Sequence, residues 1–563
     1  MQRLSFSALR LLLAALLSLA AASVQANANI TIVNTDPAGT GFNDPTPTVP
    51  VGGNPGKTLG EQRLIAFRAA ADLWGKSLDS AVEIRIQASF APLPCTAGSA
   101  VVGAAGPMSI FSDFPGAEFA DTWYPGPLAN KLAMMDLAPG DPGTDADDMG
   151  AAFNGNLGQP DCLAGIGWYY GLGSNPGFAI DLVDVLLHEF AHGLGFISFV
   201  DETTGAMIGE PPIADIFTRH IHDNSSGTNW HLMSDAGRVA SAVNARNVVW
   251  DGRNVKKAAD DFLTPGTPLL SVSAPSAIAG RYSVGPASFG PPLAAPGAVG
   301  RIVLADGGAN SPADACTALT NAAAVAGNIA LVDRGTCAFT VKVKNAQDAG
   351  AVAVLVANNV PGTPPDGLGG ADPTIAIPSA RISLADGNAI KAQLASGVRA
   401  TLGVDMAVLA GADAAGYPLL YTPDPAEPGS SVSHWDTIAS PDLLMEPNVS
   451  DRPTHNLDLT VPQMRDIGWF PDADVDGVPN RLDQCPASNL GATVKIGRCD
   501  TRVPNALLDH GCSIADRLQS CTGKDGYSEK CVSRQASALK DADIITSAQK
   551  RAILQCVAKD DKR

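Results

Sequence analysis

At 563 residues the chain is long enough to build several separate cores. With 57 glycines, 42 prolines and only 17% charged residues, it fits a loop-rich globular protein and argues against coiled coil or disorder. A formal net charge of −19 argues against nucleic acid or an anionic membrane surface as partner. Residues Met1–Ala26 read as a secretory signal: Arg3 and Arg10 lead, Leu11–Ala22 form the apolar stretch, and small residues offer cleavage after Ala26 or Ala28. That stretch is too short for a stable membrane span, and no later run reaches the required length. In an exported chain the ten cysteines point to disulfides, and none forms a Cys-x-x-Cys pair of the zinc-finger type.

Residues 27–268 begin with a short strand at Ile30–Val33, a helix over Glu61–Ser77 and an alternating strand over Val82–Phe90. Gly150–Gly158 is the expected edge strand for pairing with an extended substrate. A second helix is expected in Asp181–Phe196, ended by Gly193 and Gly195, with Val183, Leu187, Phe190 and Leu194 as its buried stripe. His188 and His192 lie four apart on one face, where two imidazoles reach a single ion. Glu189 is placed to take a proton from a metal-activated water, a donor set that suits zinc. His-Glu-x-x-His-x-x-Gly resembles the extended motif of the metzincin proteases through Gly195. Ser198 stands where that motif has its last histidine, and neutral serine is a poor ligand, so the third ligand must come from elsewhere. His220 and His222 alternate on a strand and read better as a solvated strand than as ligands; Asp215 or Glu210 would serve in a gluzincin-like arrangement.

Residues 269–402 have an α/β rhythm of their own: apolar runs at Ile302–Leu304, Asn328–Val332 and Val352–Val356, with helices at Phe339–Ala349 and Ala385–Leu394. Asn328-Ile-Ala-Leu-Val-Asp-Arg-Gly-Thr-Cys-Ala-Phe and Lys342-Val-Lys-Asn-Ala-Gln-Asp-Ala-Gly-Ala closely resemble the protease-associated (PA) domain. The resemblance implies a non-catalytic domain that steers substrate, and Cys316 with Cys337 fits a local disulfide within it.

In residues 403–470, Ser431-Val-Ser-His-Trp-Asp followed by Pro441-Asp-Leu-Leu-Met-Glu-Pro resembles the leishmanolysin branch of the metzincins. The resemblance implies His434 as third zinc ligand and Met445 as the turn methionine beneath the metal. Here a whole domain separates His434 from His192, an insertion larger than that branch's pattern; Leu459–Trp469 reads as the closing helix.

Residues 471–486 carry Asp472, Asp474, Asp476 and Asp483 at loop positions 1, 3, 5 and 12, with Gly477 at 6. Carboxylates so spaced repel one another unless calcium neutralises them, and the run resembles a thrombospondin type 3 repeat. Residues 487–563 read as a small cysteine-rich helical domain of no assignable chemistry. The expected whole is therefore an α/β (α+β) metzincin-like catalytic domain, interrupted by an α/β PA domain and followed by a disulfide-rich helical one. The expected activity is that of a secreted zinc endopeptidase on protein or peptide substrates. The alternative is an extracellular polypeptide-binding protein with a vestigial metal site; oligomeric state is not legible.

Overall fold

The computed structural model describes residues 27–309, 312–363, 365, 367–450, 452–470, 483–485, 488–508, 511–523 and 526–560. The signal-like segment 1–26 and the carboxylates Asp472, Asp474 and Asp476 lie outside these residues; Asp483 lies within them.

Strands β1 (Ile30–Asn34), β2 (Ile84–Ala91), β3 (Gly103–Pro107) and β4 (Met149–Asn154) form one sheet in the order β1-β2-β4-β3. The first three in that order are parallel, whereas β3 is antiparallel and occupies the edge. The edge expected at Gly150–Gly158 is thus corrected: its strand residues, Met149–Asn154, lie inside the sheet. Gly-Ala-Ala-Gly-Pro has none of the β-branched or aromatic residues that mark a strand, which is why Gly103–Pro107 reads as a loop.

Helix α1 (Leu59–Ser77) starts in a reciprocal capping box between Thr58 and Glu61. Its Phe67 packs edge-on against Phe153 of β4 at 5.0 Å. Helix α2 (Leu182–Leu194) is capped by Asp181, whose carboxylate accepts from Val183 N at 2.9 Å and Asp184 N at 3.2 Å. It ends at Gly195, held at φ +126°, where a Cβ would sit 2.7 Å from Ile467. Gly193 does not end the helix; a Cβ there would lie 2.0 Å from Met149, so this glycine lets α2 approach the sheet. Trp74 and Trp469 donate their indole N–H groups to the α2 carbonyls of Leu187 and Leu194, at 3.0 and 2.9 Å. One continuous apolar core gathers residues from Ala28 to Leu263 and from Ala412 to Phe470.

Between them the chain builds a second sheet from β5 (Pro265–Ala274), β6 (Gly280–Ser283), β7 (Gly285–Pro286), β8 (Ala298–Leu304), β9 (Ile329–Asp333), β10 (Ala353–Ala357), β11 (Ser379–Ile382) and β12 (Arg399–Leu409). Its order is β6-β5-β12-β8-β9-β10-β11-β7, parallel from β8 through β11. Helices α3 (Phe339–Asp348) and α4 (Leu384–Gln393) pack onto it, and apolar cores line both its faces. The outer strands begin at Pro265 and finish at Leu409, beyond the expected limits of 269 and 402, because β5 and β12 pair antiparallel along their length. Entry and exit therefore lie side by side, and Ala410 N donates to Thr264 O at 2.9 Å.

The closing helix α5 is shorter than expected, Thr460–Asp466. The C-terminal segment is not purely helical: Thr493–Ile496 and Cys499–Pro504 form a hairpin beside helices at Ile514–Gln519, Glu529–Asp541 and Ser547–Asp560. All ten cysteines are paired, as Cys95–Cys162, Cys316–Cys337, Cys485–Cys512, Cys499–Cys556 and Cys521–Cys531. Five disulfides suit an oxidising, extracellular compartment. Among the described residues no helix is long and apolar enough to cross a membrane.

Candidate metal centre

Helix α2 brings His188 and His192 onto one face, and a segment of turns and bends 246 residues from His188 in sequence delivers His434 beside them. That segment is anchored on both sides of the histidine. Tyr421 N donates to His434 O at 2.8 Å, and Trp435 N donates to Met445 O at 2.8 Å. Trp435 is fully buried and packs edge-on against Phe196 at 5.0 Å.

The Nε2 atoms of His192 and His434 lie 3.1 and 3.2 Å from Nε2 of His188. Each opposite ring nitrogen meets a backbone carbonyl: His188 Nδ1 meets Leu444 O at 2.7 Å, His192 Nδ1 meets Phe196 O at 2.7 Å, and His434 Nδ1 meets Ser430 O at 2.8 Å. A carbonyl only accepts, so each Nδ1 carries the proton and each Nε2 presents a lone pair. Three lone pairs facing one point repel unless a cation sits among them. Four-coordinate zinc at about 2.0–2.1 Å from each nitrogen would hold them about 3.3–3.4 Å apart, near the spacing seen. Burial pushes His188 down to about 4 and His192 down to about 3, and holds His434 well below the usual range, so all three stay neutral at physiological pH. Among the described residues this trio is the one cluster able to hold a metal ion.

Glu189 points to the same cleft, and its carboxyl accepts from the backbone N–H of Ala105 on β3. Burial pushes it up to about 8, while a dication in the cleft would act in the opposite direction. The cleft encloses about 540 Å³. Its lining includes Ala100–Ala105, the α2 residues Asp184, Val185, His188, Glu189 and His192, and Leu443, Leu444, Glu446 and Pro447 beyond His434. Met445 is fully buried, and its neighbour Leu444 supplies the carbonyl for His188.

The other sequence candidates fall elsewhere. Ser198 bonds Thr218 Oγ1 at 2.9 Å. His220 pairs with Asp251 at 3.1 Å and His222 with Asn229 at 2.9 Å. Asp215 is buried and accepts from Phe199 N and from both Thr218 groups, which removes it as a ligand; Glu210 is exposed and does not line the cleft. Residue pattern could not announce the three carbonyls that orient the rings, or the β3 amide that holds Glu189, because backbone groups carry no sequence signature.

Residues 298–390 match the PA domain family. The inserted sheet contains a PA domain. Vacuolar-sorting receptor 1 of Pisum sativum is 31% identical over 144 residues, 24% of this chain and 23% of the receptor. Leucine aminopeptidase 2 of Arthroderma otae is 43% identical over 82 residues, 15% of this chain and 16% of that protein. The chain thus spans less than a quarter of the length of these curated relatives. Among solved structures, an aminopeptidase from Aneurinibacillus sp. strain AM-1 overlays with a TM-score of 0.20 and 21% identity, covering 28% of this chain and 38% of its own. The subtilisin-like protease Apa1 from Pseudoalteromonas sp. AS-11 overlays at 0.21 and 17%, covering 46% and 51%.

Proposed function

We propose that this chain is a secreted zinc endopeptidase of the leishmanolysin-like metzincin type, carrying a PA domain that steers polypeptide substrates. The observation that carries the reading is the convergence of three unprotonated Nε2 atoms beside Glu189 in an open cleft. His188, His192 and His434 would hold the zinc, which when bound supplies Lewis acidity to a water and to the scissile carbonyl. Glu189 takes the proton of the attacking water and returns it to the leaving amine. Edge strand β3 provides a lane for an extended peptide. Val102 O accepts from Asn154 N, and Met108 N donates to Asp148 O, so the even-numbered residues from 102 to 108 face the sheet. Gly103 and Ala105 therefore turn their carbonyls outward. Met445 shapes the floor and binds nothing. Asp472, Asp474, Asp476 and Asp483 are the proposed calcium ligands at the joint to the C-terminal segment.

The deciding experiment replaces the base. Glu189→Ala should retain zinc at wild-type stoichiometry and lose peptide cleavage by a factor of about 10² or more. Retained turnover, or loss of the metal, would reject the assignment.

A further inference from the structure

Gly103 has an ordinary extended backbone, so its conformation does not require glycine. Its surroundings do. A Cβ at this position would lie 3.0 Å from Glu189 Cγ and 3.1 Å from Glu189 Oε1, with the Phe153 ring 3.1 Å away on the other side. Phe153 is fully buried and packed against Phe67 and Phe90, so it has no room to withdraw. Any added methyl group must therefore displace the Glu189 carboxyl. Two residues on, the outward amide of Ala105 donates to that same carboxyl.

We infer that edge strand β3 is the positioning element for the Glu189 carboxylate: Gly103 leaves the space it occupies and the Ala105 amide fixes its direction. One strand thus serves two purposes. Its outward carbonyls at Gly103 and Ala105 are available to an extended peptide, whereas the Ala105 N–H is already committed to Glu189. A peptide aligned on β3 is accordingly set in register with the group that handles its protons. The inference rests on the reading of Glu189 as general base, and it assigns a cause to the glycine that the motif around His188 does not contain.

The same strand supplies its own control. A Cβ at Gly106 meets nothing within 4 Å, so Gly106→Ala alters the strand's composition without touching Glu189. The test compares Gly103→Ala, Gly106→Ala and wild type as zinc-loaded full-length proteins, using metal content and the kcat and KM for a short peptide. Gly103→Ala should keep its zinc and lower kcat about 3- to 10-fold, the scale of a catalytic group moved by a few tenths of an ångström. Gly106→Ala should stay within about twofold. In Gly103→Ala the loss should fall on kcat, with KM within about threefold of wild type, because the displaced group acts on the substrate's protons rather than holding the peptide. Equal losses in the two glycine variants, or a Gly103→Ala loss carried by KM alone, would overturn the inference even where Glu189→Ala proves the base essential. Full activity of Glu189→Ala would instead remove the reading beneath it.

Discussion

Glu446, directly after Met445, offers a stability test that leaves the metal ligands unaltered. It is buried, and its Oε1 accepts from Leu443 N at 2.9 Å. Burial pushes its carboxyl up to about 9, and the neighbouring Asp442, Asp436 and Asp458 push in the same direction. In the unfolded chain its pKa is near 4.5, so between pH 4.5 and 9 folding takes up a proton at this site. For an acid whose folded pKa is raised, the stability is fully present below 4.5 and is lost as pH rises toward 9. At pH 7.5 that loss is on the order of 3–4 kcal/mol. Glu446→Gln can keep the bond to Leu443 N–H through its amide oxygen and removes the titration. The variant should match wild type within about 1 kcal/mol at pH 5 and exceed it by about 3 kcal/mol at pH 7.5. Urea unfolding followed by tryptophan fluorescence measures this selectively, because all seven tryptophans lie outside the inserted sheet and the C-terminal segment. A stability gap that fails to widen between pH 5 and 7.5 would show that Glu446 is ionised in the fold.

His434→Ala should weaken zinc binding severely in a chelator competition, while His220→Ala and His222→Ala should leave it unchanged; sensitivity at His220 instead would defeat the proposed ligand set. Excising residues 265–409 and joining Thr264 to Ala410 through a short glycine linker should leave a protein that still binds zinc, at modestly lower affinity, and keeps much of the cleavage of short peptides, with larger changes on folded proteins. Peptide cleavage abolished in a folded, zinc-loaded deletion would show that the PA domain completes the site. Removing calcium from the full-length protein should speed proteolytic nicking between Asp472 and Cys485, with no change in zinc content; identical nicking with and without calcium would reduce these carboxylates to an acidic linker.

Legibility in the sequence followed the physical origin of each feature. The helix around His188 could be read because its apolar stripe repeats at helical spacing and all four stripe residues are fully buried in the fold. The central strands of the inserted sheet could be read because Ile329–Val332 and Ala353–Val356 are covered on both faces and must be apolar throughout. His434 could be placed only by resemblance, since nothing periodic links it to His188. Strand β3 could not be read, because Gly-Ala-Ala-Gly-Pro carries only small side chains, which leave room for Glu189 beside its backbone but show no alternation. The missing Cβ at Gly103 that leaves this room also removes a side chain by which a strand is recognised.

The inserted domain also touches the segment that delivers His434, a connection invisible in the sequence. Thr363 O accepts from Asp424 N at 2.6 Å, and Asp424 lies ten residues before His434 on the same turn-rich segment. Arg246 reaches both ways: its Nε lies 3.7 Å from Asp436, two residues past the histidine, while its terminal nitrogens donate to Val284 O of the inserted sheet at 3.4 and 3.5 Å. Burial raises the cost of leaving either charge alone, so Arg246 and Asp436 are held as a pair. Asp436 in turn accepts from Ile438 N at 2.9 Å, which fixes the backbone just beyond Trp435. The excised protein described above keeps Arg246 and Asp436 but exposes them where Val284 had covered them. Its metal affinity should therefore fall modestly rather than vanish, because the ring of His434 remains oriented by Ser430 O, and that carbonyl lies outside the deletion.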